Sequence, residues 1–343
     1  MSVIPRRRAL RNTVAGVLSL ALVTLAGGCV AGESSAEEGS SSTVTIDFAT
    51  YNPISLVLKE KGWLDDALAE QDVTLEWVQS AGSNKANEAL RSGAIQVGST
   101  AGSAALLARS NGSPIKTIDI YSQPEWSALV TTSGSAITSV ADLKGKQVAA
   151  TKGTDPYFFL VQALATEGLT TSDITVQNLQ HADGWAALQN GSVDAWAGLD
   201  PIMGNAETAG ATLFYRNVDF NTYGFLNATE DFLESQPEVA QTIVNAYEAG
   251  REWALANPEE TAQILADAAG IDLAVATTVI TERSNLDVES VPGEAQIGVL
   301  EKIGPTFVEL GDVTDQEKVD KALDSLLEPK YAEEADPSAV STG

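Results

Sequence analysis

The chain has 343 residues, of which 44% are hydrophobic and 20% charged, a length and composition that suit a soluble protein with two cored lobes. Its formal net charge of −27 argues against nucleic acid and anionic membrane surfaces as partners of the folded body. Cys29 and His181 are its only cysteine and histidine. These counts exclude a Cys/His metal cluster and a disulfide framework within one chain, and we expect neither a metal nor a cofactor.

The first 28 residues have the pattern of an export signal. Arginines at positions 6, 7, 8 and 11 precede an apolar stretch over residues 14–25, which is too short for a stable membrane span. The sequence that follows, LAGGC ending at Cys29, resembles a bacterial lipobox. The resemblance implies cleavage before Cys29 by signal peptidase II and attachment of lipid to that cysteine, which leaves a mature net charge of −31. The alternatives are an ordinary secretory cleavage and, because of the paired arginines, twin-arginine export.

The rest of the sequence predicts an α/β protein with two lobes. Residues 29–43 are rich in serine, glutamate, glycine and alanine and predict a flexible tether. Strand-like and helix-like segments then alternate, which predicts two mixed, mostly parallel sheets, with crossovers between the lobes near residues 126–131 and 221–227. The expected organisation is lobe 1 over 44–128, lobe 2 over 129–222, a return to lobe 1 with C-terminal helices over 223–327, and a disordered tail over 328–343.

Residues 139–164 contain a strand, a glycine turn and the start of a helix. Residues 147–150 have strand character, Gly153 lies in the turn, and Pro156 suits the first helical position after an N-cap at Thr154 or Asp155. Such a turn directs free backbone N–H groups and the positive end of the helix dipole at one point, which is typical of an anion site. A second turn of this kind spans residues 98–103. Most strand–turn–helix joints bind nothing, so the pattern alone does not establish a site.

Four stretches resemble the solute-binding proteins of ABC transporters for aliphatic sulfonates, taurine and nitrate. They are NPISLVLKEKGWL, NEALRSGAIQVGSTAGSAALLA, SVADLKGKQVAATKGTDPYFFL and LQNGSVDAWAGLDPIM, and the resemblance covers about residues 44–327. The family usually has an aromatic residue before the Asp-Pro pair, whereas Leu199 precedes Asp200 here. The resemblance implies a type II periplasmic-binding-protein fold and a lipid-tethered receptor that closes two lobes on a small anion and delivers it to a permease.

The loops after the predicted strands supply the candidate ligand-binding residues, because ligands bind outside the carboxyl ends of strands in open α/β sheets. Hydroxyl groups and helix N-termini suit a sulfonate, which they hydrogen-bond without a buried countercharge. Trp126 and Trp196 are candidate apolar walls. Glu125 and Asp200 are candidate partners for the ammonium group of taurine, although Asp200 alternatively caps the following helix. The full predicted set is Tyr51, Asn52, Ser99, Thr100, Ala101, Gly102, Ser103, Glu125, Trp126, Lys152, Gly153, Thr154, Asp155, His181, Trp196 and Asp200.

The predicted function is the extracytoplasmic solute-binding component of an ABC importer that captures an alkanesulfonate or taurine and is not an enzyme. We expect a monomer that is anchored by lipid to the outer face of the bacterial cell membrane and has the permease as its protein partner. Alternatives on the same fold are binding of nitrate, an aromatic sulfonate or a thiamine-precursor pyrimidine. An alternative of a different class is an extracytoplasmic lyase or hydrolase that uses His181 with Asp183 or Glu125.

Replacing the predicted lipid-bearing cysteine tests the export signal. Cys29→Ser removes the thiol that carries the lipid, so we expect the protein to move from the membrane fraction to the medium or the periplasmic fraction. Immunoblotting of cell fractions measures this distribution, and Ser35→Ala in the tether is the control that should stay with the membrane. Unchanged membrane association of Cys29→Ser would contradict the lipid anchor.

Overall fold

Two five-stranded sheets with flanking helices form the protein, whose structure is a computed structural model that describes residues 42–342. The predicted signal peptide, Cys29 and most of the tether lie outside these residues. The strands are β1 (Ser42–Phe48), β2 (Val73–Gln79), β3 (Val97–Ala101), β4 (Ile115–Ser122), β5 (Ser127–Thr131), β6 (Gln147–Ala150), β7 (Thr175–Asn178), β8 (Ala195–Leu199), β9 (Thr212–Tyr215) and β10 (Gly224–Thr229). The helices are α1 (Pro53–Lys61), α2 (Trp63–Ala69), α3 (Ser83–Ser92), α4 (Gly102–Ser110), α5 (Asp155–Thr166), α6 (His181–Gln189), α7 (Ile202–Thr208), α8 (Glu230–Ser235), α9 (Pro237–Ala256), α10 (Pro258–Ala269), α11 (Leu273–Thr278), α12 (Glu294–Glu309), α13 (Gln316–Leu326) and α14 (Lys330–Glu333).

Both sheets have the same strand order. The first runs β2-β1-β3-β10-β4 and the second β7-β6-β8-β5-β9. In each sheet the chain reaches the fourth strand of this order by crossing over from the other sheet. This strand is antiparallel to both of its neighbours, whereas the first three strands are parallel to one another. The chain crosses between the sheets through residues 123–126 and 216–223, just before β5 and β10. We call the first sheet with α1–α4 and α8–α14 lobe 1, and the second sheet with α5–α7 lobe 2.

Local sequence signals set both ends of α1. Asn52 precedes the helix, and its side-chain oxygen accepts a hydrogen bond from Ser55 N at 3.2 Å. Pro53 lies in the first helical turn, where the missing N–H has no intrahelical partner to lose. Gly62 ends the helix with a φ of 72°, a left-handed conformation that glycine adopts without strain. Among residues 42–342, no helix has both the length and the apolar character that crossing a membrane requires.

The two lobes share apolar packing in addition to their polar contacts. The buried rings of Phe158 in α5 and Phe307 in α12 have centroids 4.8 Å apart and join lobe 2 to lobe 1. The same apolar cluster contains Leu129 and Val148 of the second sheet and Ile120 of the first. Burial of one large apolar side chain contributes about 1.5–3 kcal/mol, so this cluster stabilises the arrangement of the lobes.

The C-terminal tail is folded, and the predicted disorder of residues 328–343 is therefore wrong for the part that the structure describes. Helix α14 forms there, and Gln241 of α9 donates a hydrogen bond from Nε2 to the carbonyl oxygen of Tyr331 at 2.9 Å. Tyr331 and Val340 are each 5% exposed and belong to the apolar cluster of lobe 1. The polar composition of the tail concealed these two anchoring side chains.

The start of β10 provides a test of how closely the second crossing is packed. A Cβ atom built on Gly224 would lie 2.5 Å from Ser122 Oγ and 2.5 Å from Tyr121 Cζ, both on buried side chains. We therefore expect Gly224→Ala to lower the free energy of unfolding by about 1–3 kcal/mol, the usual cost of overpacking. Urea unfolding measures this change.

The matched control is Gly298→Ala in α12. Apart from its chain neighbours and the backbone of its own helix, no atom lies within 4 Å of the Cβ position of Gly298, and alanine favours a helix over glycine by about 1 kcal/mol. We expect this variant to be as stable as the parent protein or more stable. Equal stability of Gly224→Ala and the parent protein would contradict the close packing at the crossing.

Candidate functional site

Loops at the carboxyl ends of strands from both sheets meet in a cleft between the lobes. Tyr51 follows β1, Trp126 ends the first crossing, and their rings pack edge to face with centroids 6.1 Å apart. The Tyr51 hydroxyl donates to the Ser99 carbonyl oxygen at 3.0 Å. The indole Nε1 of Trp126 donates to Asp155 Oδ2 at 2.8 Å. These hydrogen bonds fix both rings, which form an apolar wall of the cleft.

A narrow cavity lies beside these rings. The residues that line it include Tyr51, Pro53, Trp126, Asp200, Val279 and Arg283. Its volume is about 10 Å³, which is room for about one water molecule. A larger solute can therefore enter only if the lobes part or the lining side chains move.

Arg283 brings a positive charge into this cavity from the C-terminal part of the chain. It ends a π-helical turn, Val279–Arg283, that follows α11, and this region shares an apolar cluster with α1 of lobe 1. Its Nη1 lies 3.3 Å and 3.4 Å from the two carboxylate oxygens of Asp200, and its Nη2 lies 2.6 Å from Glu207 Oε2. Because Asp200 and Glu207 belong to lobe 2, Arg283 bridges the lobes. Sequence reasoning missed Arg283, since it follows no predicted strand and lies 83 residues from Asp200 in the chain.

Asp200 is held by the backbone as well as by Arg283. Its Oδ1 accepts a hydrogen bond from Gly204 N at 2.9 Å in the first turn of α7, which is the capping alternative considered from the sequence. Burial raises the pKa of Asp200 to about 6, and the positive charge of Arg283 opposes the rise. A ligand ammonium could pair with this carboxylate only by replacing Arg283, so the predicted role in taurine binding is not supported.

Asp155, at the start of α5, joins the two lobes and both crossings. Gly153, with a φ of 76°, forms the turn before it. Oδ1 accepts hydrogen bonds from Ser103 Oγ of lobe 1 and from Thr222 Oγ1, and Oδ2 accepts them from Trp126 Nε1 and Thr222 N. Burial raises the pKa of Asp155, and these hydrogen bonds oppose the rise. The protein thus places its own buried carboxylate at the helix N-terminus where the sequence predicted a ligand anion.

In the other predicted anion-binding turn, between β3 and α4, the groups expected to donate to a ligand are hydrogen-bonded within the protein. The amides of Ala101, Gly102 and Ser103 donate to oxygen atoms of lobe 1 and the second crossing at 2.9–3.1 Å. The Thr100 hydroxyl donates to the carbonyl oxygen of Ala101 at 3.0 Å. Within the described residues this turn therefore offers a ligand none of these four donors. The partners of Gly102 and Ser103 are Tyr223 and Thr222, which lie far away in the sequence, so the turn alone suggested a free site.

Ser99 and Thr154 are also hydrogen-bonded within the protein. Ser99 donates to Asp47 Oδ1 from its backbone N at 2.8 Å and from its hydroxyl at 2.9 Å. Asp47 lies in β1, and burial raises its pKa to about 7 although hydrogen bonds to it oppose the rise. The Thr154 hydroxyl donates to the carbonyl oxygen of Thr151 at 2.6 Å. The hydroxyl groups of Ser99 and Thr154, which were predicted to bind a sulfonate, donate instead to oxygen atoms within the protein.

His181 lies at the start of α6 and is buried where lobe 2 faces lobe 1. Thr151 Oγ1 donates to the Leu179 carbonyl oxygen and lies 3.2 Å from His181 Nδ1, so Nδ1 carries the hydrogen and donates it to Thr151. His181 Nε2 has no hydrogen-bond partner within residues 42–342, and a Cβ built on Gly82 of lobe 1 would lie 2.9 Å from it. Burial lowers the pKa of His181 to about 4. The ring is therefore neutral at pH 7 and presents an acceptor toward Gly82 of lobe 1.

Of the sixteen predicted site residues, Tyr51, Trp126 and Asp200 line the cavity and the other thirteen do not. Glu125 accepts hydrogen bonds from Arg216 Nη2 at 2.7 Å and Nε at 3.1 Å. Lys152 is exposed on the surface. Trp196 is 1% exposed and packs in the core of lobe 2, with its ring centroid 6.0 Å from that of Trp185. The predicted roles of Glu125 as an ammonium partner and of Trp196 as a pocket wall are therefore not supported.

The sequence is similar to curated binding proteins along most of its length. It is 26% identical over 320 residues to a protein of Bacillus subtilis (strain 168) that is named as an aliphatic sulfonates-binding protein. This match covers 90% of this chain and 96% of that protein. The sequence is 27% identical over 291 residues to the protein of the same name from Escherichia coli (strain K12), covering 84% of this chain and 88% of that protein. The structure is similar to that of the alkanesulfonate-binding protein SsuA from Xanthomonas axonopodis pv. citri bound to MOPS, with a TM-score of 0.74, 24% identity, and coverage of 82% of this chain and 97% of that chain.

The sequence profile of the family described as "NMT1/THI5 like" matches residues 51–261, more than half of the chain. The chain belongs to the NMT1/THI5-like family. In this member of the NMT1/THI5-like family, the matched region begins at Tyr51 in the cleft and contains both crossings and all of lobe 2. Arg283 lies beyond it. The cavity therefore combines residues of the matched region with a cation from the C-terminal segment.

The four hydrogen bonds of Asp155 can be tested by Asp155→Asn. An asparagine accepts hydrogen bonds through one oxygen only, and its NH2 group would face donors, so about two of the four bonds are lost. Hydrogen bonds to charged groups contribute about 1.5–3 kcal/mol each, and we expect the free energy of unfolding to fall by about 3 kcal/mol or more. Urea unfolding measures the loss.

Asp183→Asn is the matched control, because Asp183 is exposed in the first turn of α6. Surface substitutions of this kind change the free energy of unfolding by about 0.5 kcal/mol or less. If both variants unfolded at the same urea concentration as the parent protein, Asp155 would have no role in joining the lobes.

Proposed function

We propose that this protein is the extracytoplasmic solute-binding component of an ABC importer and that it captures a small organosulfonate between its lobes. The observation that carries the proposal is the cavity between the lobes, in which Arg283 lies beside the rings of Tyr51 and Trp126. A short alkanesulfonate has an anionic head and an apolar body and so matches both features. The names of the two curated relatives support the same class of solute. Lipid attachment at Cys29, delivery to a membrane permease and a monomeric state belong to the same proposal.

In this proposal, Arg283 holds the sulfonate and the two aromatic rings contact the alkyl chain. A guanidinium group has five N–H donors in a fixed fork that suits oxyanions. This assignment replaces the neutral donors expected from the sequence, because Ser99, Ser103 and Thr154 are hydrogen-bonded within the protein. The solute enters when the lobes rotate apart about residues 123–126 and 216–223, since the closed cavity holds about one water molecule.

An uncharged tail suits this cavity better than the ammonium group of taurine. The rings of Tyr51 and Trp126 line it and offer an alkyl chain an apolar contact, and Glu125 is paired with Arg216 outside it. Nitrate, an aromatic sulfonate and a thiamine-precursor pyrimidine are the alternative solutes on this fold. A catalytic role of His181 has less support, because Asp183 is exposed and Nδ1 of the ring contacts Thr151.

Thermal unfolding in the presence of candidate solutes tests the proposed function. Ethanesulfonate, benzenesulfonate, taurine, nitrate and propionate form the panel, with propionate as the carboxylate matched to ethanesulfonate in chain length. A solute at 100 times its dissociation constant stabilises the native state by about 2.7 kcal/mol, which raises the melting temperature by several degrees. We expect this shift with ethanesulfonate and a smaller one with propionate. A shift of the melting temperature with nitrate alone would contradict the proposal. The absence of a shift with every sulfonate of the panel would contradict it as well.

Two arginine variants assign the site. We expect Arg283→Gln to weaken ethanesulfonate binding by tenfold or more in calorimetric titrations, because the cation of the cavity is removed. Arg91→Gln is the control, since Arg91 is exposed in the last turn of α3 and does not line the cavity. Equal affinities of both variants and the parent protein would place the sulfonate elsewhere in the cleft.

A further inference from the structure

The charges around the cavity do not by themselves favour an added anion. Arg283 contributes one positive charge, whereas its partners Asp200 and Glu207 contribute two negative charges when ionised. A sulfonate remains ionised at physiological pH and therefore adds another negative charge. Because buried charges need partners, some group must give up a negative charge when the solute binds.

The two carboxylates differ in their access to water. The side chain of Asp200 is 4% exposed, whereas that of Glu207 is 36% exposed. Glu207 can therefore keep its charge in water if its contact with Arg283 loosens. Asp200 cannot move out as easily, because its backbone N donates to the Trp126 carbonyl oxygen at 3.0 Å and its Oδ1 accepts from Gly204 N at 2.9 Å. A sulfonate that takes Nη1 of Arg283 leaves Asp200 buried without its cation.

We propose that sulfonate binding is coupled to the uptake of one proton by Asp200. This inference rests on the proposed function and on Arg283 as the group that holds the anion. A sulfonate oxygen replaces Asp200 at Nη1 of Arg283, and a proton from the solvent binds Oδ2 of Asp200 while Oδ1 keeps its hydrogen bond from Gly204 N. One negative charge enters and one is neutralised, so the net charge of the cavity does not change.

The groups that face Asp200 agree with this assignment. Burial raises its pKa to about 6, Arg283 lowers it, and Glu207 on α7 raises it. Tyr51, which lines the cavity from lobe 1, has a pKa raised by burial and stays neutral. Asp272, directly before α11, is exposed and lines a separate groove together with Glu207 and Arg283. When the sulfonate pairs with Arg283, Asp200 loses the positive charge that lowers its pKa. The pKa of Asp200 therefore rises further.

The sign of the pH dependence follows from this upward shift. The bound form holds more protons than the free form between the two pKa values, so the affinity for a sulfonate rises as the pH falls from 8 toward 6. It levels off below about pH 6, where Asp200 in the free protein is already protonated. Above pH 7 the dissociation constant rises toward tenfold per pH unit, the limit for one proton.

Calorimetric titration with ethanesulfonate tests the coupling directly. The titrations are run near pH 7 in Tris, imidazole and cacodylate, which differ in ionisation enthalpy and carry no sulfonate group. If the protein takes up a proton, the observed heat changes in proportion to the ionisation enthalpy of the buffer. We expect a slope that corresponds to uptake approaching one proton for each ethanesulfonate bound.

Two variants identify the group that takes up the proton. Asp200→Asn keeps an oxygen that can accept the Gly204 N–H but cannot titrate, so we expect its ethanesulfonate affinity to be independent of pH from 6 to 8. Glu207→Gln removes the exposed carboxylate and should retain the proton uptake. The buffer comparison on the parent protein decides the question even if Asp200→Asn does not fold.

The outcomes separate the inference from the proposed function. Saturable ethanesulfonate binding with the same heat in all three buffers would overturn the proton coupling and leave the function standing. Proton uptake that survives in Asp200→Asn would overturn the assignment to Asp200. Absence of binding by any sulfonate would overturn the function and the coupling with it.

Discussion

Four hydrogen bonds converge on the carboxylate of Asp155, and the position of the lobes depends on them. A buried carboxylate is tolerated only where donors surround it, and here the donors come from α4 and from both crossings. The bond from Trp126 also sets the wall of the cavity, because that ring packs on Tyr51. Of the three donor residues, only Ser103 belongs to a helix of lobe 1. Opening of the cleft therefore strains that contact first, while the bonds from the crossings can persist.

The fold was largely predictable from the sequence because its signals are local. Alternating strand-like and helix-like segments, the turn at Gly153 and the proline after it placed the elements of lobe 2 close to where they occur. The site was less predictable, since a turn does not show whether its donors are free. Ser99 bonds to Asp47, 52 residues away, and Thr222 bonds to Asp155, 67 residues away. Such pairings follow from tertiary contacts that no local pattern encodes.

The C-terminal segment shows the same limit. Arg283 lies in a stretch that predicts only helix, and its role depends on packing of α11 against α7, where a Cβ built on Gly204 would lie 3.1 Å from Val275 Cγ1. Tyr331 and Val340 lie in a polar tail whose composition suggests disorder, yet both are buried. In each case the pairing or burial of one or two side chains determines the local structure. The average composition of the segment does not reveal these side chains. Sequence reasoning located the cleft but not the cation within it.

The strand order of the second sheet has a consequence for folding. Lobe 2 is one continuous stretch inserted into lobe 1, and its first and last strands pair with each other, so that Leu129 lies beside Tyr215. Lobe 1 must bring β4 and β10 together across the insertion. If lobe 2 is unfolded, this closes a loop of about 100 residues, and the entropy cost of closure grows with loop length. If lobe 2 has already folded, its paired ends leave side by side and only two short connections remain to be closed. The connectivity thus favours a folding order in which lobe 2 forms first and serves as a short tether for lobe 1.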